Sequence, residues 1–510
     1  RATDGVCVPF QPLLHGHSDC LPHSKDVHSP SKVIYKTHPK RKTKMRTTYH
    51  ILATMALVAL LCACDSYLDI KPKGERIPET AADYRSMISH PNIQKITETY
   101  PCYLTDDCFL PDTAFNSSTP GLNTITPYIK RLYTFDKQVF GDGEDDTFWF
   151  SAYSRIFTNN VVIREVMDAI EGTTEEKSAI RGEALVNRAL DYLYLVNGYA
   201  KHYNEATAEG DAGVPLLLNA DISQTNLTRA SVKSVYQQIL ADLYEAETGL
   251  PEEISTNAFH ATKDAARGLM ARVYLYMGNY TEALKVANGV IARHDTLLNL
   301  TQYAVVKPAG MIGRTNVPDA DANPENIFIK YAPYIFGVSS KAFPSDSLLK
   351  MYPDSDMRKV LFMPETYRGN LLPHPIWAPF VRANTAVNTP ELFLIAAECE
   401  ARVGNLQRAM ALVNKLRDHR IKENAHVSLA DKDSVLSFVL EERRRELAFN
   451  GFLRFIDLKR LNLDPRFATT VQHVGATETW TLPPNDPKYV LPIPQRVMRF
   501  NANSMTQNER

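Results

Sequence analysis

Apolar residues recurring every three or four positions constrain this chain more than any other feature of its sequence. Between residues 232 and 250 the apolar positions are Val232, Val235, Tyr236, Ile239, Leu243, Ala246 and Leu250, with Gln237, Gln238, Asp242 and Glu245 between them. At 3.6 residues per turn this spacing draws one buried stripe along an amphipathic helix. The same period runs from Ile180 to Tyr199, from Ala265 to Tyr276, from Leu392 to Leu416 with a break at Gly404, and from Val435 to Phe449. Ser428, three residues before Asp431, marks the expected N-cap of that last helix. Period-two alternation is sparse, so the expected fold class is all-α.

Two turns share a pattern. Gly278-Asn279-Tyr280-Thr281-Glu282-Ala283 and Gly404-Asn405-Leu406-Gln407-Arg408-Ala409 each close one helix and open the next. The glycine ends the first helix, and the alanine lets the two helices approach closely. This is the turn of a tetratricopeptide-like helical hairpin. Residues 300–380 differ: ten prolines, many aromatics and little helical period predict long irregular loops laid over the helical scaffold. Loops of this kind are where ligand contacts tend to be carried.

The 57 basic and 58 acidic side chains disfavour a nucleic-acid binder held by a strong positive field. With 44% hydrophobic and 23% charged residues the chain is an ordinary globular mix.

Residues 1–44 carry five histidines and no sustained apolar period, and they read as a leader outside the fold, with Met45 as the initiator. From Met45 to residue 63 the chain reads as an export signal. Arg46 supplies the positive charge, and residues 51–61 form an apolar run too short to span a bilayer. The run ends in Leu61-Cys62-Ala63-Cys64, a lipobox pattern. Small side chains flank the cut, and the Cys64 thiol is the nucleophile that takes the diacylglyceryl group. Residues 64–80, polar and with Pro72, Gly74 and Pro78, would form a lipidated tether to a domain spanning 81–510.

Of the remaining cysteines, Cys102 and Cys108 flank a short loop, where a disulfide and two separate thiols are both compatible with the spacing. No spacing of zinc ligands, Walker loop, H-E-x-x-H or G-x-S-x-G is present, so no cofactor or metal is expected. The acidic run Asp142, Glu144, Asp145 and Asp146 reads as a turn favoured at the N-terminus of a helix beginning near Phe148, with calcium as the alternative. The run Glu441-Glu442-Arg443-Arg444-Arg445-Glu446 reads as ion pairs between neighbouring turns on a partly exposed helix face, with an anion site as the alternative.

Many short patterns, taken in order, resemble the SusD/RagB family of Bacteroidetes lipoproteins. They are Cys64-Asp65 with Leu68-Asp69 before Pro72; Trp149 to Asn160; Gly182-Glu183-Ala184 with Arg188-Ala189 and Tyr192; and Gly213-Val214-Pro215-Leu216. Glu442-Arg443, Glu446-Leu447, Gly451, Asp457-Leu458 and Arg460 follow, then Leu491-Pro492-Ile493-Pro494 and Gln507-Asn508. Two positions depart: Asn450 stands where the family commonly has glutamate, and Leu453 where it commonly has arginine.

The resemblance implies a non-enzymatic, lipid-anchored protein on the outer surface of the outer membrane. It would capture an oligosaccharide and hand it to a SusC-like TonB-dependent transporter. A peptide ligand is the alternative, and a surface glycan hydrolase a more distant one. The resemblance carries over no ligand contact.

Candidate contacts come instead from where aromatic rings fall. Sugars present apolar C–H faces that stack on rings, and hydroxyls that need polar partners. Tyr236, Tyr274 and Trp149 lie on helical stripes or signatures and are expected in the core. Tyr103 and Phe109 in the N-terminal loop, and Tyr331, Tyr334, Phe336 and Trp377 in the proline-rich segment, are the candidates. The two segments are expected to meet on one face, with Asp106 or Asn116 supplying hydrogen bonds. Trp377 is the foremost of these.

Overall fold

The computed structural model describes residues 77–510 apart from 96–99, 113–124, 253–256, 308–313, 332–342, 368–369, 373 and 378–383. The chain divides into Arg1–Arg76 and Ile77–Arg510, and the described residues belong to the second unit. The expected leader, export signal and Cys64, and the tether up to residue 76, lie outside the described residues.

Ten helices of eight or more residues dominate the described chain. They are α1 (Ala81–Ile88), α2 (Thr147–Glu165), α3 (Thr174–Tyr199), α4 (Val232–Gly249), α5 (Lys263–Tyr276), α6 (Tyr280–Ile291), α7 (Thr389–Val403), α8 (Leu406–Asp418), α9 (Lys432–Glu446) and α10 (Leu453–Leu461). The all-α class holds. Strands among the described residues form short two-stranded antiparallel pairs only.

Apolar period placed the helices; side-chain caps set their ends. α3 starts six residues before its apolar stripe. Thr173 accepts a hydrogen bond from the Glu176 backbone N–H, and Glu175 and Glu176 favour the positive end of the helix. Asp146 caps α2 by accepting from the N–H groups of Phe148 and Trp149, so the acidic run does lie at a helix start. For α9 the expected cap is corrected. Asp431, not Ser428, receives the Ser434 N–H at 2.8 Å.

α2 and α4 both pack on α3, whose side chains beyond Ile180 are almost all buried. Its polar residues are neutralised there: Asp191 by Arg155 at 2.6 Å, Arg188 by Asp242 at 2.7 Å, and Glu183 by Arg85 at 2.7 Å. α4 then packs on α5, α5 on α6, α6 on α7, and α7 on α8 and α9. The two Gly-Asn hairpins, α5–α6 and α7–α8, are far apart in sequence yet adjacent in space through α6 and α7. Gly278 and Gly404 close their first helices at φ +74° and +99°, where a Cβ is strained. Ala283 and Ala409 are fully buried in the helix contacts that follow.

The charge run of α9 is not a solvated face. Glu442 is 0% and Arg443 1% exposed. Arg443 binds Asp457 and Glu391, at 2.9 and 3.3 Å. Glu442 gathers Arg358, Arg417 and Arg445 within 2.9 Å. Only Arg445 is a neighbour on the same helix; the others come from elsewhere in the chain. Glu442 and Arg443 thus both have oppositely charged partners, as burial demands. Cys102, Cys108 and Cys399 are buried free thiols.

Candidate functional site

The N-terminal loop and the proline-rich segment meet through a short ladder. Cys108–Phe109 pairs antiparallel with Phe343–Pro344. The Ser345 N–H donates to the Asp107 carbonyl at 2.8 Å, and the Ser345 hydroxyl to the Asp106 carbonyl at 2.6 Å. Phe109 is half-buried, with its ring 4.8 Å from that of His374, and Phe343 lies 5.9 Å from the same imidazole.

The other expected contacts around this ladder fare differently. Tyr103 is 1% exposed and lies in the core, so its ring presents no face to a ligand. Asp106 is held by Arg454 through two hydrogen bonds of 2.8 Å and by Arg444 at 3.2 Å. Burial would raise its carboxyl; the two guanidiniums outweigh that and hold it well below the usual carboxylate range. Asp106 therefore pins the loop to α9 and α10. Tyr331 is half-buried, and its backbone bridges Lys95 and Asn384. Tyr334, Phe336 and Asn116 lie outside the described residues.

Trp377 is half-buried, with rings on two sides: Phe449 at 5.3 Å and 48°, and Phe362 at 5.9 Å and 70°. It walls a recess of about 120 Å³ that also touches Phe362, Asn384, Asn450, Arg358 and Glu446. That is below the ~300–1,000 Å³ of an enclosing ligand pocket, so the recess admits one part of a ligand and leaves the rest outside.

Its wall is built by an elbow after α9. Phe449 has φ +60° and Gly451 φ +59°. A left-handed phenylalanine is strained, and such strain persists only where packing over-determines it. Here Trp377 packs on the Phe449 ring. Asn384 is locked: its amide N–H groups go to Asn326 and to the carbonyls of Phe328 and Val387. The Asn450 side chain makes no hydrogen bond among the described residues and is half-buried.

Asn450, Phe449 and Phe362 were not among the sequence candidates. The Asn-Gly dipeptide was the available signal, since it marks a turn. Nothing local shows that this turn lies beside a tryptophan some seventy residues earlier.

A larger recess of about 630 Å³ lies elsewhere, touching Lys201, Asn204, Arg229, Lys459, Asn485 and Tyr489. Buried Lys459 and half-buried Arg229 cap the C-terminus of α3. Lys459 donates to the carbonyls of Asn197 and Ala200, each at 2.6 Å, and Arg229 donates to Tyr199. Burial brings the Lys459 ammonium down to about 7. Tyr489 is 3% exposed, so the recess offers no aromatic face for stacking.

Among the described residues, no group of three or more His, Cys, Asp or Glu side chains is placed to hold a metal ion.

Two family profiles match the chain. One, described as "Starch-binding associating with outer membrane", covers residues 66–275; the other, described as "SusD family", covers 389–510. The chain belongs to the SusD family. This SusD-family chain is 23% identical to SusD-like protein P38 of Formosa agariphila, over 83% of its own length and 92% of that protein's.

Solved structures share the fold. A SusD superfamily protein of Bacteroides thetaiotaomicron superposes with a TM-score of 0.67 at 20% identity, over 84% of this chain and 100% of that one. A SusD-like carbohydrate binding protein of Bacteroides vulgatus gives 0.61 at 20% identity, over 83% and 97%. The SusD family is one of nutrient-binding proteins associated with the outer membrane.

Proposed function

We propose that this SusD-family protein captures an oligosaccharide at the cell surface and delivers it to a SusC-like TonB-dependent transporter. It would be held to the outer membrane by lipid on Cys64. The observation that carries the ligand side is the Trp377 recess, which joins a half-buried tryptophan face to an uncommitted amide. Stacking and hydroxyl recognition need that pairing. The larger recess lacks the ring. Among the described residues no helix is long and apolar enough to cross a membrane, and an acyl anchor requires none.

Glu325 and Glu446 also touch the Trp377 recess and could suggest a hydrolytic pair. Both bind one guanidinium, Arg420 Nη2, at 2.7 and 2.8 Å. That clamp makes them structural partners rather than a free acid and base.

The test is affinity screening of the purified protein against glycans beside peptides, with Trp377→Ala as control. Glycan binding lost in the variant supports the proposal. Binding confined to peptides replaces the ligand class. Release of new reducing ends, abolished by Glu446→Gln, would replace capture with hydrolysis.

A further inference from the structure

Charge distinguishes the sugars that the Trp377 recess can accept. Three arginines, Arg358, Arg420 and Arg445, touch it. Each already has its carboxylates. Arg358 lies 2.7 Å from Asp356, from Glu442 and from Glu446. Arg420 binds Glu325 and Glu446, and Arg445 binds Glu442 at 2.8 Å.

Arg417, behind them, also binds Glu442 at 2.9 Å. Among the described residues, four guanidiniums thus face five carboxylates, those of Glu325, Asp356, Glu441, Glu442 and Glu446, with no cation left over in this cluster. A carboxylate or sulfate entering the recess would give up its hydration and meet Glu325 and Glu446 without a partner. A hydroxyl meets no such penalty.

The Asn450 side chain, a polar group at this wall without a hydrogen bond among the described residues, is neutral. The Asn450 amide has donors and an acceptor, the set a sugar hydroxyl needs. It is carried on the strained Phe449–Gly451 elbow, whose phenylalanine also supports Trp377. The ring face and the amide are therefore fixed by one piece of backbone.

We propose that the Trp377 recess is a subsite for an uncharged sugar unit, stacked on Trp377 and hydrogen-bonded by Asn450, and that it rejects uronic acids and sulfated sugars. This rests on the glycan-capture reading above and narrows its ligand class.

The test titrates the full chain with matched oligosaccharide pairs: galactan against galacturonan, mannan against mannuronan, and agarose against its sulfated counterpart. The expected result is binding to a neutral member about tenfold or more tighter than to its acidic partner, a preference of about 1.4 kcal/mol. Asn450→Ala should weaken that binding about five- to tenfold with thermal unfolding unchanged. Asn450→Lys, which adds an unpaired cation, should narrow the preference.

An acidic member bound as tightly as its neutral partner, and lost in Trp377→Ala, overturns the neutral subsite while leaving glycan capture at Trp377 intact. Neutral binding that survives both Trp377→Ala and Asn450→Ala overturns the location. A folded protein that binds peptides and no member of any pair overturns this inference and the capture reading together.

Discussion

Glu442 lies at zero exposure with Arg358, Arg417 and Arg445 around its carboxylate. Removing one member of such a cluster leaves buried charge uncompensated, so Glu442→Ala should cost about 3–5 kcal/mol in denaturant unfolding. A cost below about 1 kcal/mol would mean the pairs are solvated.

A separate buried carboxylate, Glu398, paired with Arg460 at 2.6 Å and Arg402 at 2.8 Å, adds a pH dependence of its own. Burial alone would raise its carboxyl, but Arg460 and Arg402 outweigh that and hold it down, to about 2. A carboxyl depressed by folding stabilises above its unfolded pKa, near 4.5, and that stability is lost as pH falls toward 2. The shift corresponds to about 3 kcal/mol at neutral pH. Glu398→Gln should therefore lower stability at pH 7 and shrink the further loss between pH 7 and pH 3. An unchanged loss would assign acid sensitivity to other groups.

The sequence shows the α9 charges but not their burial. Spacing along one helix reveals only same-helix pairs, whereas Arg358, Arg417 and Asp457 come from elsewhere. Trp377 was legible as a ring in a proline-rich loop. Asn450 was legible as half of an Asn-Gly turn and as a departure from the family pattern, but not as a neighbour of Trp377.

The hairpin turns are the most legible elements, because a positive φ and a close helix contact are local demands that particular residues meet. Gly404 at φ +99° has nothing within 4 Å of where a Cβ would sit, so only backbone strain opposes Gly404→Ala. That substitution should cost about 1 kcal/mol, read as a lowered denaturation midpoint. No change in the midpoint would place the turn elsewhere in conformational space.

Helix ends were less legible. The first turns of α3 are polar and show no period, and several serines and aspartates compete for the cap of α9. Residues 300–380 were legible as loops, but the ladder from Phe109 to Phe343 was not, since its strands are two residues long and carry no alternation to read. The Trp377 ring is only half-buried, so Trp377→Ala should cost about 1–2 kcal/mol, below the ~3–5 of a fully buried tryptophan. A larger loss would make it a core residue first.

At the scale of the whole molecule, a stack of helices carries the loops, and the proposed lipid on Cys64 would tether the chain to the outer membrane. In the native host, Cys64→Ala should release the protein from outer-membrane fractions. Retention there, with surface exposure, would refute the anchor.

A glycan seated at Trp377 would report its arrival through tryptophan fluorescence. Of the three tryptophans, Trp149 is 3% exposed in the core and Trp480 lies on the Val471–Leu482 hairpin, so Trp377 is the one at the recess. Titration with a neutral oligosaccharide that the protein binds should shift the emission. Trp377→Phe should abolish that shift and lower affinity, with folding intact. A shift and an affinity that both persist in Trp377→Phe would place the glycan away from Trp377.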